Sequence, residues 1–225
     1  MAGTTRLKLY NGALLLCGER FLASLTEERE PRRLLDYVWD KDGIRYCLEQ
    51  GEWQFAMRSQ QIEYDPSTEP PFGYLRAFNK PDDWIATHAV CQDAYFREPL
   101  RKYSDEVDVW YADLDTIYVK FVSDDNGYGN NLGGWPQSFC DYVEAYFASQ
   151  IILKVTSDKQ KIQFLLGQPG KIDGGELGRQ LKVAKSRAAM TKGSQTPVQG
   201  AWNKARSGGT GGPMGDGGTT GSLTG

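Results

Sequence analysis

The sequence is poor in the side chains that bind transition metals. Its 225 residues include a single histidine, His88, and four cysteines: Cys17, Cys47, Cys91 and Cys140. The cysteines are far apart and show no CxxC spacing, whereas zinc sites usually draw four soft ligands from close pairs. We therefore expect no metal and no other cofactor. The cysteines should be reduced, buried and act as small apolar side chains.

Long apolar runs are absent as well. A transmembrane helix needs about 20 consecutive apolar residues, and the longest apolar run near the start covers only residues 13–17. The first residues also lack the charged-then-apolar order and the cleavage site of a secretory signal peptide. Neither a GxxxxGK[ST] phosphate loop nor a glycine-rich dinucleotide fingerprint occurs. We expect a protein that is made and used in a cytosol, without a membrane.

The formal net charge of −3 is unevenly distributed along the chain. Residues 176–225 contain seven basic and two acidic residues, a net charge of +5, so residues 1–175 carry −8. A basic segment attached to an acidic body is typical of an arm that reaches for an acidic surface on a partner. A solvated tail whose charge has no role is the alternative.

Apolar residues at three- and four-residue spacing predict most of the helices. A first helix should end before Gly18, and a second should begin near Glu30 with Pro31 at its first position. Gly43, inside this second helix, is either a break or only a weak position. The strongest pattern starts at Trp135. The predicted helices cover residues 7–17, about 30–51, 135–155, 158–166 and 176–190.

The central third of the chain has the alternation of strands. Short strands are predicted around residues 53–57, 62–64 and 74–78, and the clearest hairpin pairs residues 107–111 with 117–121 across a polar turn. Pro81 followed by two acidic residues indicates a helix start, so a short helix is predicted toward Ala89.

These patterns predict an α+β fold. We expect an antiparallel helical bundle with an inserted antiparallel β-hairpin region at about residues 53–122, followed by an extended Gly-rich C-terminal arm. Residues 1–175 would form the body, and residues 176–225 would form the basic helix and the arm. The last 35 residues contain eleven glycines, and such a segment cannot pack a core of its own.

Several residues are candidates for chemistry or binding. The acidic residues around the predicted hairpin could supply a glycosidase-type carboxylate pair: Asp105, Glu106, Asp108, Asp113 and Asp115. Asp113 and Asp115, the main candidates, lie in a turn, where acidic residues are ordinary. Residues 124–127 (DDNG) resemble the start of a calcium loop, but the alternating oxygen ligands and the terminal glutamate are missing, which favours a plain loop. His88 has no catalytic partner in the sequence. The basic run Arg179, Lys182, Lys185 and Arg187 could contact nucleic acid, a protein or only solvent.

Trp202 is the one large aromatic residue in the Gly-rich arm, and Lys204 and Arg206 follow it closely. An isolated tryptophan in such a segment is often an anchor that docks on a partner. The alternative is an incidental residue. We therefore assign a partner-contacting arm to Arg179, Lys182, Lys185, Arg187, Trp202, Lys204 and Arg206.

Several stretches together resemble the head-to-tail adaptor, or connector, proteins of tailed bacteriophages, the group that includes the tail tubular protein A of short-tailed phages. The resemblance covers roughly residues 7–166 and consists in the order of the pieces, since no single motif is diagnostic. The stretches are residues 14–19 (LLLCGE) with Leu25, 51–56 (GEWQFA), 74–84 (YLRAFNKPDDW), 110–113 (WYAD), and 135–139 (WPQSF) with 143–146 (VEAY).

The resemblance implies a structural virion protein rather than an enzyme. Twelve subunits would form a ring beneath the portal protein, with helices in the ring wall, a β-part directed toward the tail nozzle or tail tube protein, and the C-terminal segment on the portal. Double-stranded DNA would pass through the lumen unread during genome ejection. The protein would be made in the host bacterial cytoplasm and reside in the virion neck. The alternatives are a tail-associated cell-wall-degrading enzyme and a nucleic-acid-binding module.

Overall fold

The computed structural model describes residues 3–167 and 175–191, and these have a mixed α+β fold. The helices are α1 (Arg6–Cys17), α2 (Glu30–Asp40), α3 (Gly43–Glu49), α4 (Gln137–Val155), α5 (Lys159–Leu166) and α6 (Glu176–Thr191). The strands are β1 (Met57–Glu63), β2 (Arg76–Asn79), β3 (Trp84–Cys91), β4 (Tyr103–Asp105), β5 (Val109–Ala112) and β6 (Thr116–Ser123). Short 3₁₀ turns occur at Gln54–Ala56 and Leu132–Gly134.

The predicted helix boundaries are largely confirmed. The first helix ends at Cys17, and Gly18 follows in the left-handed conformation (φ 73°). There its N–H donates hydrogen bonds to the carbonyl oxygens of Leu14 and Leu15. Pro31 occupies the first turn of α2. Of the two possibilities at Gly43, the structure has the break, which separates α2 from α3. Local caps and turn residues therefore placed these helix ends.

Helix α4 forms the centre of the helical part, since each of α1, α2, α3, α5 and α6 contacts it. Its buried residues include Phe139, Tyr142, Phe147 and Ile151 and lie on several sides of the helix, as expected of a helix that neighbours surround. The main apolar core therefore extends around α4 and takes side chains from every helix of the described residues.

Helices α1 and α4 run in the same direction, which corrects the expectation of an antiparallel arrangement for this pair. Thr4, just before α1, lies 3.3 Å from the Cys140 sulfur near the start of α4, and Cys17 at the end of α1 contacts the Ala148 carbonyl oxygen at 3.8 Å. The long connection from α1 to α4 makes either direction possible, whereas a short loop would force an antiparallel pair.

A polar cluster joins α1 to α2. The Tyr10 hydroxyl donates a hydrogen bond to Asp36 Oδ1 (2.9 Å), and the Arg6 guanidinium donates to the same oxygen (2.7 Å). Arg32 donates to the other carboxylate oxygen of Asp36 (2.5 Å). The Arg6 guanidinium also lies 4.7 Å from the centre of the Trp39 ring. These charge-assisted bonds fix the two helices against each other.

The strands form two antiparallel three-stranded sheets, and the predicted hairpin is wrong. One sheet has the order β1-β6-β3, and the other has the order β2-β5-β4. The segments predicted to pair, β5 and β6, therefore belong to different sheets. Trp110 of β5 and Val119 and Phe121 of β6 instead meet in one shared core. Alternation identified the buried face of each strand but not its hydrogen-bonded neighbour.

The helix predicted after Pro81 is also wrong, because residues 84–91 form strand β3 alongside β6. Residues 81–84 make a turn in which the Trp84 N–H donates to the Pro81 carbonyl oxygen (3.0 Å). The segment after it contains isoleucine, threonine and valine, which favour strands. The proline and the acidic residues therefore mark a turn before a strand. Similarly, the strand predicted from Trp53 begins only at Met57, after a 3₁₀ turn.

All four cysteines are buried and free, as predicted. Burial raises the pKa of the Cys17 thiol to about 11, so this side chain remains a neutral thiol at physiological pH. Within residues 3–167 and 175–191, no helix is long and apolar enough to cross a membrane.

Glu144 is a carboxylate packed between α1 and α4. A side chain at Gly12 would meet its carboxyl group at 2.1 Å, so the absence of a side chain there gives Glu144 its place. Burial raises the pKa of Glu144 to about 7, the negative charge of Asp141 adds to the increase, and Lys8 opposes it. The folded protein therefore holds this proton more tightly than the unfolded chain does.

We expect Glu144→Gln to stabilise the protein at pH 8. A raised folded-state pKa means that the stabilisation is complete below the unfolded pKa near 4.5 and is lost as the pH rises through 7. Removing the charge should raise the free energy of unfolding at pH 8 by about 1 kcal/mol, with allowance for partial solvation of the carboxyl group. Thermal unfolding at pH 5 and pH 8 measures this.

The midpoint difference between Glu144→Gln and wild type should be roughly 3 °C at pH 8 and should shrink toward pH 5. Glu28→Gln is a suitable control because Glu28 is exposed. An equal difference at both pH values would show that the charge of Glu144 is not responsible.

Candidate interaction surface at helix α6

Helix α6 has one face on the core and another in solvent. Ala184 is buried, and Leu177, Leu181 and Ala188 pack beside it against the main core. Their spacing of three and four residues places them on one side of the helix. The helix contacts α4 and α5, so the basic helix that the sequence analysis grouped with the C-terminal arm packs against the helical body.

The predicted basic residues of α6 lie on its exposed side. Arg179 is engaged within the helix, where its guanidinium donates to both carboxylate oxygens of Glu176 (2.7 and 2.5 Å) and lowers the pKa of that carboxyl group. Lys182, Lys185 and Arg187 are exposed one to two turns further along. Lys182 and Lys185 are one turn apart near the middle of α6, whereas Arg187, in its C-terminal half, lies on a different side of the helix.

An apolar groove lies beside this half of α6, and we call it the α4–α6 groove. Its volume is about 690 Å³. One wall is the first turn of α4 with Pro136, and the other is α6 with Val183, Ala188 and Met190. Met190 is 76% exposed. An open groove with apolar walls on a helical surface is a form that commonly receives an apolar segment of another chain.

Aromatic side chains form the floor of the groove. The Trp53 and Phe139 rings meet edge to face with centres 4.7 Å apart, and Phe55 lies 4.8 Å from Phe139. The Trp53 indole N–H is held by the carbonyl oxygens of Cys47 (3.2 Å) and Leu48 (3.0 Å) at the end of α3. Packing on both sides therefore fixes the floor in position, as a preformed binding surface requires.

Charges lie at the rim of the groove. Arg187 lines it from α6, and Asp141 lines it from α4. The Asp141 carboxylate accepts a hydrogen bond from the Gln137 side chain (2.7 Å). The rim therefore carries one cation on the α6 side and one carboxylate on the α4 side. The cation could pair with an acidic residue of an apolar segment bound in the groove.

Only part of the predicted contact arm can be located. Arg187 lines the groove, and Arg179, Lys182 and Lys185 lie on the same helix. The predicted anchor Trp202 and its neighbours Lys204 and Arg206 lie outside the described residues. The groove itself was missed by the sequence analysis, because Trp53, Phe55 and Phe139 have the pattern of ordinary core residues.

The carboxylates considered as a catalytic pair are engaged with cations and backbone. Asp113 accepts from the Lys102 ammonium (2.5 Å) and the Leu75 N–H (3.1 Å), and Lys102 lowers the pKa of Asp113. Asp115 accepts from the Arg76 guanidinium (2.9 Å). A glycosidase acid needs a raised pKa, so the pKa of Asp113 is shifted in the direction opposite to that of a general acid.

Another acidic residue, Asp105, is also engaged. It accepts a hydrogen bond from Lys80 (2.6 Å), whose ammonium lies 3.5 Å from the centre of the Trp84 ring and 5.3 Å from that of Trp110. This lysine is almost wholly buried and also donates to the Glu106 carbonyl oxygen (2.5 Å). The contacts fasten the connection between β4 and β5 to the turn before β3.

His88 and the acidic loop after β6 show no constellation for metal chemistry. His88 Nδ1 lies 3.1 Å from Glu52 Oε1, in a geometry that is not a hydrogen bond. Residues 124–131 form a loop, in which the Asp125 carboxylate accepts from the Gly127 N–H (2.7 Å). Across the two described ranges, no group of three or more histidine, cysteine or acidic side chains is placed to hold a metal ion.

Comparison with protein-family models gives no match, and no curated protein matches the sequence.

Proposed function

We propose that this chain is a structural subunit of the ring that joins the portal to the tail of a tailed bacteriophage. The observation that carries the proposal is the α6 surface, where Lys182 and Lys185 are exposed and Arg187 lines an apolar groove. Such a surface serves protein contact rather than chemistry. The order of the sequence stretches resembles that of phage adaptor proteins, and for this reason we take the portal protein as the partner in this contact.

In this proposal the portal binds the C-terminal segment, and about twelve copies form a closed ring. The helices around α4 would build the wall, and the two sheets would face the tail nozzle or tail tube protein. The net charge of −8 on residues 1–175 supports passage of double-stranded DNA, because an acidic lumen does not hold phosphates. The finer form of the fold, a helical bundle that carries an inserted β-region and an extended arm, belongs to the same proposal.

The proposal needs neither a cofactor nor a catalytic residue. The enzyme alternative gains no support from Asp113 and Asp115, whose carboxylates are bonded to Lys102 and Arg76. The nucleic-acid alternative would use the same cations of α6, so it must be separated by experiment. A titration against duplex DNA at several salt concentrations should show no steep salt dependence if the surface serves protein contact.

The direct test is the mass of the protein alone and with the portal of its own phage, measured by native mass spectrometry or light scattering. We expect a monomer or a small oligomer alone and a complex of about twelve subunits on the portal. Truncation after Thr191 leaves α6 whole and should prevent this assembly. A full-length protein that ignores the portal would overturn the proposed function.

Charge reversal should distinguish α6 from the rest of the surface. We expect Lys182→Glu with Lys185→Glu to weaken portal binding by at least tenfold, about 1.4 kcal/mol, because these exposed cations would face an acidic portal surface. The matched control is Arg20→Glu with Arg33→Glu, which reverses two exposed arginines on other segments. Equal binding by both double variants would show that α6 is not the contact.

A further inference from the structure

A loop of the β-part presents a large apolar side chain to solvent. Within residues 65–75, here called the Phe72 loop, Phe72 is 104% exposed and Leu75 is 68% exposed. Scattered apolar residues are normal on protein surfaces. A fully exposed phenylalanine with an exposed leucine three residues later is different from scattered apolar residues. It indicates a binding surface when the loop that carries both is held in a fixed conformation.

The first half of the Phe72 loop is ordered by one carboxylate. Asp65 accepts hydrogen bonds from the Ser67 N–H (2.8 Å), the Ser67 hydroxyl (2.6 Å), the Thr68 hydroxyl (3.0 Å) and the Asn79 side chain (2.8 Å). These bonds, led by that of the Ser67 hydroxyl, hold the pKa of Asp65 far below its usual range. The Asp65 N–H in turn donates to the Ala77 carbonyl oxygen (2.8 Å) and ties the loop to β2.

The second half is fixed from the other side. The Leu75 N–H donates to Asp113 (3.1 Å), and the Tyr74 ring stacks on Tyr111 with centres 6.2 Å apart. Pro70 and Pro71 restrict the backbone before Phe72, and Gly73 turns the chain at φ +91° with open space around it. The loop therefore holds Phe72 outward as a preorganised anchor, which loses little conformational entropy on binding.

The same chain carries a surface that complements this anchor. The α4–α6 groove has an aromatic floor and apolar walls, with Arg187 at its rim on the α6 side and Asp141 on the α4 side. The Phe72 loop carries the exposed Glu69 three residues before Phe72. The two surfaces are therefore both apolar, and Glu69 and Arg187 carry opposite charges. Since Phe72 is fully exposed, it does not fill the groove of its own chain.

We infer that the Phe72 loop of one copy docks in the α4–α6 groove of a second copy. Anchor and groove are different surfaces, so the contact is head-to-tail, and repeating it generates a ring or a filament rather than an isolated pair. The inference deepens the proposed function, on which its biological setting rests, by naming the contact between neighbouring subunits. It also gives the loop-bonded carboxylates Asp65 and Asp113 a role in holding the anchor.

Cross-linking between two differently labelled copies tests the contact without the portal. One full-length chain carries Phe72→Cys and the other carries Ala188→Cys, on the groove wall, and the mixture is oxidised at high protein concentration. The native cysteines are buried, so they should contribute only a low background of disulfide formation. The control partner carries Ser157→Cys, an exposed position between α4 and α5, at the opposite end of α4 from the groove.

We expect the Phe72→Cys and Ala188→Cys chains to form a mixed disulfide at least tenfold faster than the pair with Ser157→Cys. Equal rates for the two pairs would overturn the inference. Portal binding by wild type is measured separately, so failure of the contact and failure of the proposed function give different results.

A charge exchange gives a second readout. Glu69→Lys and Arg187→Glu should each reduce the cross-linking rate severalfold when introduced alone, and the rate should recover when the Phe72→Cys chain carries Glu69→Lys and the Ala188→Cys chain carries Arg187→Glu. Recovery requires that the two side chains face each other across copies. Additive loss in the doubly exchanged pair would place the loop elsewhere.

Discussion

Replacing Trp53 by alanine should lower the free energy of unfolding by about 4 kcal/mol. Trp53 is 1% exposed and lies where α3, the start of β1 and α4 meet. Its ring contacts Phe139 and Phe55, so truncation leaves a large cavity in packing that cannot fully collapse. The carbonyl oxygens of Cys47 and Leu48 would also lose their indole donor.

Urea unfolding followed by circular dichroism measures this loss, and Trp53→Phe separates its two components. Phenylalanine keeps an aromatic ring at the centre of the cluster but lacks the N–H, so this variant should lose about 1–2 kcal/mol. A loss below about 1 kcal/mol for Trp53→Ala would contradict the central place given to this residue. The same variant would also remove part of the floor of the α4–α6 groove.

Gly129→Ala should cost about 3 kcal/mol, although it adds only one methyl group. A Cβ atom at Gly129 would lie 2.2 Å from the Ser123 carbonyl oxygen and 2.8 Å from Leu48 Cδ1. The first is a backbone atom at the end of β6, and it accepts the Gly129 N–H at 3.0 Å. The loop would have to move, which would strain the bond from the Trp135 indole to the Gly129 carbonyl oxygen (2.7 Å).

Gly133→Ala is the matched control for this loop. Its nearest contact would be the Asn131 side-chain oxygen at 3.5 Å, an ordinary van der Waals distance, so its unfolding midpoint in urea should stay close to that of wild type. Comparable losses in the two variants would show that the clash at Ser123 does not determine the effect of Gly129→Ala.

Helices were predictable from the sequence because their signals are local. The periodic apolar residues after Trp135, the glycine at position 18 and the proline at position 31 each act within a few residues of the helix they define. The direction of α1 relative to α4 was not predictable, since it depends on a contact between residues more than 130 positions apart.

Strand pairing failed for the same physical reason. The alternating residues of β5 and β6 correctly indicate buried positions such as Trp110 and Val119, but any strand with a matching face can be the partner. The choice of β2 and β4 as neighbours of β5 depends on the whole β-part. At residues 81–91, a helix-start pattern was overridden because the segment completes the sheet beside β6.

Of the candidate site, only the basic residues of α6 were predictable from the sequence. Arg187 and its basic neighbours were recognised because cations on one helix are visible in the sequence. The groove beside them joins residues 53–55, 136–141 and 183–191, and nothing in any one of these stretches indicates the others. A binding surface assembled from three distant segments becomes visible only once they are packed.

The contact between α1 and α4 also determines the order in which parts of the chain can fold during translation. Thr4 and Cys140 are 136 positions apart. Because a ribosome adds roughly 5–20 residues per second, α4 is synthesised on the order of ten seconds after α1. The two sheets, which have an apolar cluster of their own, are complete in the chain before α4 is made. We expect the β-part to become protected first in pulsed hydrogen exchange on nascent chains, and α1 to be left exposed for chaperones until α4 has emerged.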